Sequence, residues 1–185
     1  NFCLKHSVSS LYHWQMDDNI KNFRKRENNK NIIINAQNAL IEIEQYIQYF
    51  NNIGGAGLCH TVFAFSKKNK IDVNKQIYSC MLLRNNLDLF FNDRIVEDTD
   101  FSLQILYKKY CTLLFNHILI EKITTGKMKG GNTDTENTEE KSLIRCENLI
   151  KKYPNYFNMK KENNRWRIKP SNIWLKFKQQ PYYKI

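Results

Sequence analysis

A short apolar, aromatic run, Leu11-Tyr12-His13-Trp14-Gln15-Met16, stops at Asp17-Asp18-Asn19. This junction constrains the fold more than any other stretch of the sequence. A run of that length and composition reads as a buried strand, and the acids after it as the turn at its end. Two adjacent carboxylates in a half-buried turn repel each other unless a positive charge lies between them. A hard divalent cation, Mg²⁺ or Mn²⁺, removes that cost by taking oxygen ligands from the pair, and it usually keeps waters or phosphate oxygens as well. The plainer account of the same residues is a cap or turn, with Asp18 or Asn19 capping the next element.

Beyond that turn, residues 21–30 form a charged stretch expected to be solvated. Residues 35–50 place Ala36, Ala39, Leu40, Ile43, Ile47 and Phe50 at helical spacing. Asn52-Ile53-Gly54-Gly55-Ala56-Gly57 is expected to end that helix in a sharp turn. A helix C-cap explains one glycine, so Gly54, Gly55 and Gly57 together read as a place where a bound ligand can approach the backbone. Residues 58–65 and 77–83 read as strands joined by a polar turn, and residues 87–96 carry no clear pattern. Residues 100–110 read as a helix and 113–123 as one or two strands. Residues 124–140 are rich in Gly, Thr and Glu and read as a mobile loop. A second amphipathic helix over 139–153 is stopped by Pro154, and a basic, aromatic segment follows over about 160–185. Strands alternating with helices predict a single α/β domain over 1–185 with a mixed central sheet flanked by helices. Ligands of open α/β sheets gather beyond the carboxyl ends of strands, which is where Asp17-Asp18 falls.

Composition narrows the partners. The 185 residues suffice for one domain with a core, and the 42% hydrophobic and 13% aromatic content exclude a disordered chain. No apolar run approaches the roughly 20 residues that a membrane-spanning helix needs. A net charge of +11 favours an anionic partner: nucleic acid, a nucleotide-sugar diphosphate or an acidic protein face. Solubility alone is an equally good account of that charge. Five cysteines, odd in number and without a C-x-x-C pair, argue against a disulfide framework and a structural zinc site. They fit buried thiols in a reducing, intracellular compartment, whether nuclear, cytoplasmic or that of a viral host cell. Asn1 is not an initiator residue, so the sequence is expected to be a fragment or a processed product.

The second acidic phrase is Glu97-Asp98-Thr99-Asp100. Carboxylates at a helix start complement the dipole and accept from free N–H groups, which accounts for Asp100. Three acids within four residues exceed what capping requires, and one of them suits a general base that deprotonates an acceptor hydroxyl. Trp14-Gln15-Met16-Asp17-Asp18-Asn19-Ile20, followed some eighty residues later by Val96-Glu97-Asp98-Thr99-Asp100-Phe101-Ser102-Leu103-Gln104, resembles the TET-associated glycosyltransferases. These are GT-A-like enzymes related to the base J glucosyltransferases. The resemblance implies transfer of a sugar from a UDP-sugar, with Asp17 and Asp18 as a DxD-type metal motif for Mn²⁺ or Mg²⁺. It implies Asp18 as the direct ligand, Asp17 as a contact to the donor's ribose or sugar, and Asn19 and Asp100 beside the substrate. Asp98 is the implied base of an inverting transfer, with Glu97 next. Hydroxymethylated pyrimidines in DNA are the acceptors associated with the family, and a related branch is associated with protein modification. GT-A enzymes place a nucleotide-binding half before the DxD, yet only sixteen residues precede Asp17. Part of that half is therefore expected to be missing.

The remaining candidates are weaker. His117 matches the C-terminal histidine that GT-A enzymes often add to the metal, although a lone histidine in a strand is more often structural. Lys127, Lys129, Gly130 and Gly131 suit a loop that closes over a diphosphate. Arg165, Trp166 and Arg167, with Trp174, interleave aromatics and cations as base stacking beside phosphates requires. Docking of the C-terminal segment onto the core explains the tryptophans as well. The competing function is a catalytically silent basic domain that binds nucleic acid or a protein partner. A metal-dependent nuclease ranks last, because no acidic-x-Lys arrangement follows a strand.

Overall fold

The computed structural model describes residues 6, 7, 9–28, 30–123, 138–169 and 171–184. Its elements in chain order are β1 (Tyr12–Met16), β2 (Ile20–Glu27), β3 (Lys30–Ile34), α1 (Ala36–Ile47), β4 (Ile53–His60) and α2 (Thr61–Ala64). Next come β5 (Ile71–Val73), β6 (Cys80–Arg84), a 3-10 turn (Asn85–Leu87), α3 (Glu97–Tyr107) and β7 (Cys111–Lys122). The chain continues through α4 (Glu139–Lys152), the hairpin strands β8 (Met159–Glu162) and β9 (Arg165–Ile168), and a second 3-10 turn (Asn172–Lys176). This is the mixed central sheet flanked by helices that the sequence predicts.

β7 and β4 form the middle of the sheet, and both read as nearly unbroken runs of buried residues. Such runs belong to strands covered on both faces. The two pair in parallel, and the sheet order is β1-β6-β4-β7-β2-β3, with β5 antiparallel against the first half of β7. β6 is antiparallel to both β1 and β4, so β1, β4 and β7 all run the same way.

α1 covers one face. Ala39, Ile43 and Ile47 pack with Phe50, Leu58, Phe115, Ile118 and Ile120 in the largest apolar cluster. Asn35 starts the helix by accepting the Gln37 N–H at 2.7 Å. α3 covers the other face, where Phe101 and Ile105 meet Ile77, Met81, Leu83 and Leu87. A further layer lies outside α3: Leu149 of α4 and Tyr153 at its end, with Phe157 and Ile173, close over Ile95 and Leu103.

Three expectations change. The charged stretch at 21–30 is mostly strand: β2 pairs with β7 and β3, and Arg24 and Asn22 reach Glu121 across the ladder. Its charges line a half-exposed sheet surface rather than a solvated loop. The glycines at 54, 55 and 57 do not make a turn after the helix; they lie inside β4 and are buried. A Cβ on Gly55 would come within 2.7 Å of Ile77 Cδ1, and one on Gly57 within 2.8 Å of Ile77 Cβ. Both positions are filled from above by apolar side chains, so the glycines set how closely α3 and the Ile77 segment approach the sheet, and they offer no opening to a sugar. The strand expected over 58–65 stops at His60, where a single helical turn begins. Residues 124–137 lie outside the described residues, and Lys127, Lys129, Gly130 and Gly131 lie there with them.

Candidate active site

β1 and β2 are consecutive in sequence but stand on opposite sides of β6, β4 and β7. The link between them, Asp17-Asp18-Asn19, therefore crosses the carboxyl ends of the parallel strands. The Asp17 N–H continues the β1 ladder by donating to the Ser79 carbonyl at 2.7 Å. At the far end the Ile123 N–H donates to the Asn19 carbonyl at 2.9 Å, and Asn19 Nδ2 donates to the Ile123 carbonyl at 3.2 Å. The acidic turn is thus tied at both ends.

Beneath it lies a polar cluster. Lys122, the last residue of β7, ion-pairs with the Asp17 carboxylate and donates to Ser79 Oγ at 3.1 Å. The lysine side chain is only 19% exposed, so this cation is held in the site rather than waving in solvent. His60, the last residue of β4, brings Nε2 to 3.3 Å from Ser79 Oγ and packs edge-on against Tyr78. Burial and the Lys122 ammonium lower its pKa to about 4, so the imidazole is neutral at pH 7. Ser79 itself holds a left-handed backbone, φ 62°, which a non-glycine residue adopts at a cost.

The second acidic phrase forms the first turn of α3, where no side chain caps the helix and three carboxylates complement its dipole. Their surroundings separate them. Asp98 is partly buried, and burial together with the charges of Glu97 and Asp17 pushes its pKa up to about 8, against the pull of Lys122. The two acidic phrases therefore act on each other across one edge of the sheet. Asp100 turns away: it is 1% exposed, accepting from the Tyr153 hydroxyl at 2.7 Å, from Gln104 at 2.7 Å and from Lys152. It anchors α4 on α3 and leaves no oxygen for a substrate.

Glu97 lines a cleft of about 620 Å³ between α3, α4 and the β8–β9 hairpin. Arg165, Trp166, Arg167 and Trp174 line the same cleft, so four residues noted in the sequence as one group do converge. His117 lies elsewhere. Its Nδ1 meets the Lys70 carbonyl at 3.1 Å and its Nε2 faces Glu42 on α1 at 3.4 Å. The histidine at the acidic edge is His60.

The residues at the turn fit a metal in a limited sense. Among the described residues no group of three or more His, Cys, Asp or Glu converges to hold an ion. Magnesium-like ions, however, are commonly held by one or two carboxylates with substrate phosphates completing the shell. Asp18 is exposed and forms no described ion pair, so its carboxylate is open. Asn19 Oδ1 is buried but unpartnered among the described residues, whereas Asp17 is already paired with Lys122.

Sequence reasoning overlooked Lys122 and Ser79. Lys122 ends an apolar run with Glu121-Lys122, which reads as an ordinary strand exit, and Ser79 has no signal short of its backbone geometry.

A family model described as TET-Associated Glycosyltransferase matches residues 1–131. Comparison with curated proteins and with solved structures finds no match. The matched span carries both acidic phrases, His60, Ser79 and Lys122, and stops before α4 and the hairpin. The chain belongs to the TET-associated glycosyltransferase family.

Proposed function

We propose that this chain transfers a sugar from a UDP-sugar to a hydroxyl group on DNA, with a hydroxymethylated pyrimidine as acceptor. The observation that carries this reading is that the charges of Asp17 and Lys122, at the carboxyl edge of the sheet, act on Asp98, while its neighbour Glu97 lines a cleft of tryptophans and arginines. A sugar diphosphate needs positive charge at its leaving group, and the acceptor hydroxyl needs a base. Both kinds of residue are present within one neighbourhood.

In a single displacement with inversion, the acceptor oxygen bonds to the anomeric carbon as the bond from that carbon to the diphosphate breaks. The acceptor proton passes to a carboxylate. Asp98, the base implied by resemblance, feels the charge of Asp17 and holds its own proton up to about pH 8. Glu97 lines the cleft and is the better placed of the two. Lys122 and the neutral His60 supply one fixed cation and one uncharged imidazole below the donor. Mn²⁺ or Mg²⁺, bound through Asp18 with Asn19 beside it, would neutralise charge on the diphosphate. Four buried free thiols among the described residues suit a reducing, intracellular site of action. No described helix is long and apolar enough to cross a membrane.

The test is release of UDP from a panel of UDP-sugars with Mn²⁺ or Mg²⁺ and hydroxymethylated DNA, using the longest natural form of the protein. Acceptor-dependent release that is lost in Glu97→Gln and Asp18→Asn supports the reading. No release from any donor, with DNA binding retained in Asp17→Ala, would instead assign a catalytically silent nucleic-acid-binding domain.

A further inference from the structure

The cleft beside Glu97 combines cations with aromatic side chains. Four cations, Arg145, Arg165, Arg167 and Lys169, face it against one carboxylate, Glu97. Its apolar lining includes Trp166, Trp174 and Phe157, with Val96 and Ile168. Trp166 is half-buried and held in place: its backbone N–H donates to Ser142 Oγ at 3.0 Å, tying the hairpin to α4. Among the described residues, Arg167 makes one ion pair, a long 3.8 Å contact to Glu162, which Lys160 already engages. Flat aromatic surface beside cations is the chemistry that stacks a nucleobase and holds the phosphates next to it.

Size decides the form of that nucleic acid. A cleft of about 620 Å³ lies within the roughly 300–1,000 Å³ range of sites that enclose one small ligand. A duplex cannot enter it, and a base that stays stacked and paired offers only its groove edge, so its ring cannot lie on a tryptophan inside the cleft. A nucleotide swung out of the helix, or one in a single strand, can enter. The cleft is walled on one side by residues of the family-matched span, among them Val96, Glu97 and Thr99. Its other wall is built from α4, the hairpin and the final 3-10 turn, all beyond that span.

We propose that this cleft is an acceptor pocket for a single unpaired nucleotide, which stacks on Trp166 while the flanking phosphates lie on Arg165 and Arg167. The inference rests on the DNA-acceptor reading and adds to it the form of the acceptor and the residues that read it. The pocket makes unpairing, and not base identity alone, a condition for stacking on Trp166 beside Glu97.

The test compares three fluorescently labelled DNAs of one sequence by anisotropy at fixed low salt: a matched duplex, the same duplex with one base opposite an abasic site, and the single strand. The parent protein is expected to bind the unpaired forms at least about tenfold more tightly than the matched duplex, in keeping with a stacking contribution of about 1–3 kcal/mol per base. Trp166→Ala should remove most of that preference, while Trp166→Phe, which keeps a ring, should retain it. Equal binding of all three DNAs, or an unchanged preference in a folded Trp166→Ala protein, overturns the pocket. The two readings separate cleanly. Sugar transfer to matched and unpaired DNA at equal rates sinks the pocket and leaves the transferase standing. A preference for unpaired DNA without transfer from any donor sinks the transferase and leaves the pocket. Absence of binding to every DNA overturns the pocket and the DNA acceptor together.

Discussion

Lys122 and Asp98 show how far single residues decide this site. The lysine pairs with Asp17 and touches Ser79, and its charge also reaches Asp98 and His60. Replacing it with methionine keeps the length of the side chain and removes the charge. Lys122→Met is expected to raise the KM for the sugar donor about tenfold or more, the loss of one charge-assisted contact of about 1.5–3 kcal/mol. Lys122→Arg should recover part of it, and initial-rate kinetics at fixed acceptor would decide. Asp98 makes a prediction about stability. Its folded pKa of about 8 lies above the ordinary carboxylate value, so between about pH 4 and pH 8 the folded protein binds more protons than the unfolded chain. Stability then falls as pH rises through that window, and it is fully retained only below it. Asp98→Asn, neutral at every pH, should match the parent near pH 4 and exceed it by at least about 1 kcal/mol at pH 8, since one pKa unit is worth about 1.4 kcal/mol. Urea melts across that range would show it, and a gap that failed to widen with pH would refute it.

At the scale of elements, β4 is the most instructive. Glycine-rich sequence after a helix reads as a turn, because glycine is the residue that turns use. In this fold the same glycines lie in a central strand, where Ile105 of α3 and Ile77 crowd the space a side chain would fill. Gly54→Ala would push its methyl into Leu87 and Tyr110, each 2.9 Å from the ideal Cβ position, as well as into Ile105. The expected cost is about 1–3 kcal/mol, the usual range for overpacking. A lowered thermal midpoint without a change in the apparent donor KM would assign those glycines to packing and away from sugar binding. α1, α3 and α4 were legible from the spacing of their apolar residues, within a few residues at the ends. β2 was not, because its apolar positions are diluted by Lys and Arg whose stems pack on a half-exposed face. The acidic phrases were legible as a pair because each ends or begins an element. Asp100 was misjudged, since nothing local marks which acid of a helix's first turn will be covered by a helix that comes forty residues later.

The whole molecule is layered as α1, sheet, α3, and then α4 with the hairpin. Asp100 is the polar rivet of the outermost joint, bonded to Tyr153, Lys152 and Gln104. Asp100→Ala would leave the buried Tyr153 hydroxyl without its acceptor, at a cost of about 1–3 kcal/mol. Because that joint forms one wall of the cleft, the variant should weaken DNA binding more than it weakens UDP binding, and titrations of each ligand separately would show the difference. Equal losses would mean that the joint supports both halves of the site.

The acidic turn that straps β1 to β2 also limits the shape of the sheet. Four peptide steps from Met16 to Ile20 reach at most about 14 Å. Four strand spacings laid flat, from β1 through β6, β4 and β7 to β2, would measure about 19 Å. The sheet must therefore roll towards that edge, with the strap as a taut chord across the arc. Curvature and the placement of Asp17 and Asp18 are then a single mechanical quantity, so a change that flattens the sheet moves the carboxylates without touching them.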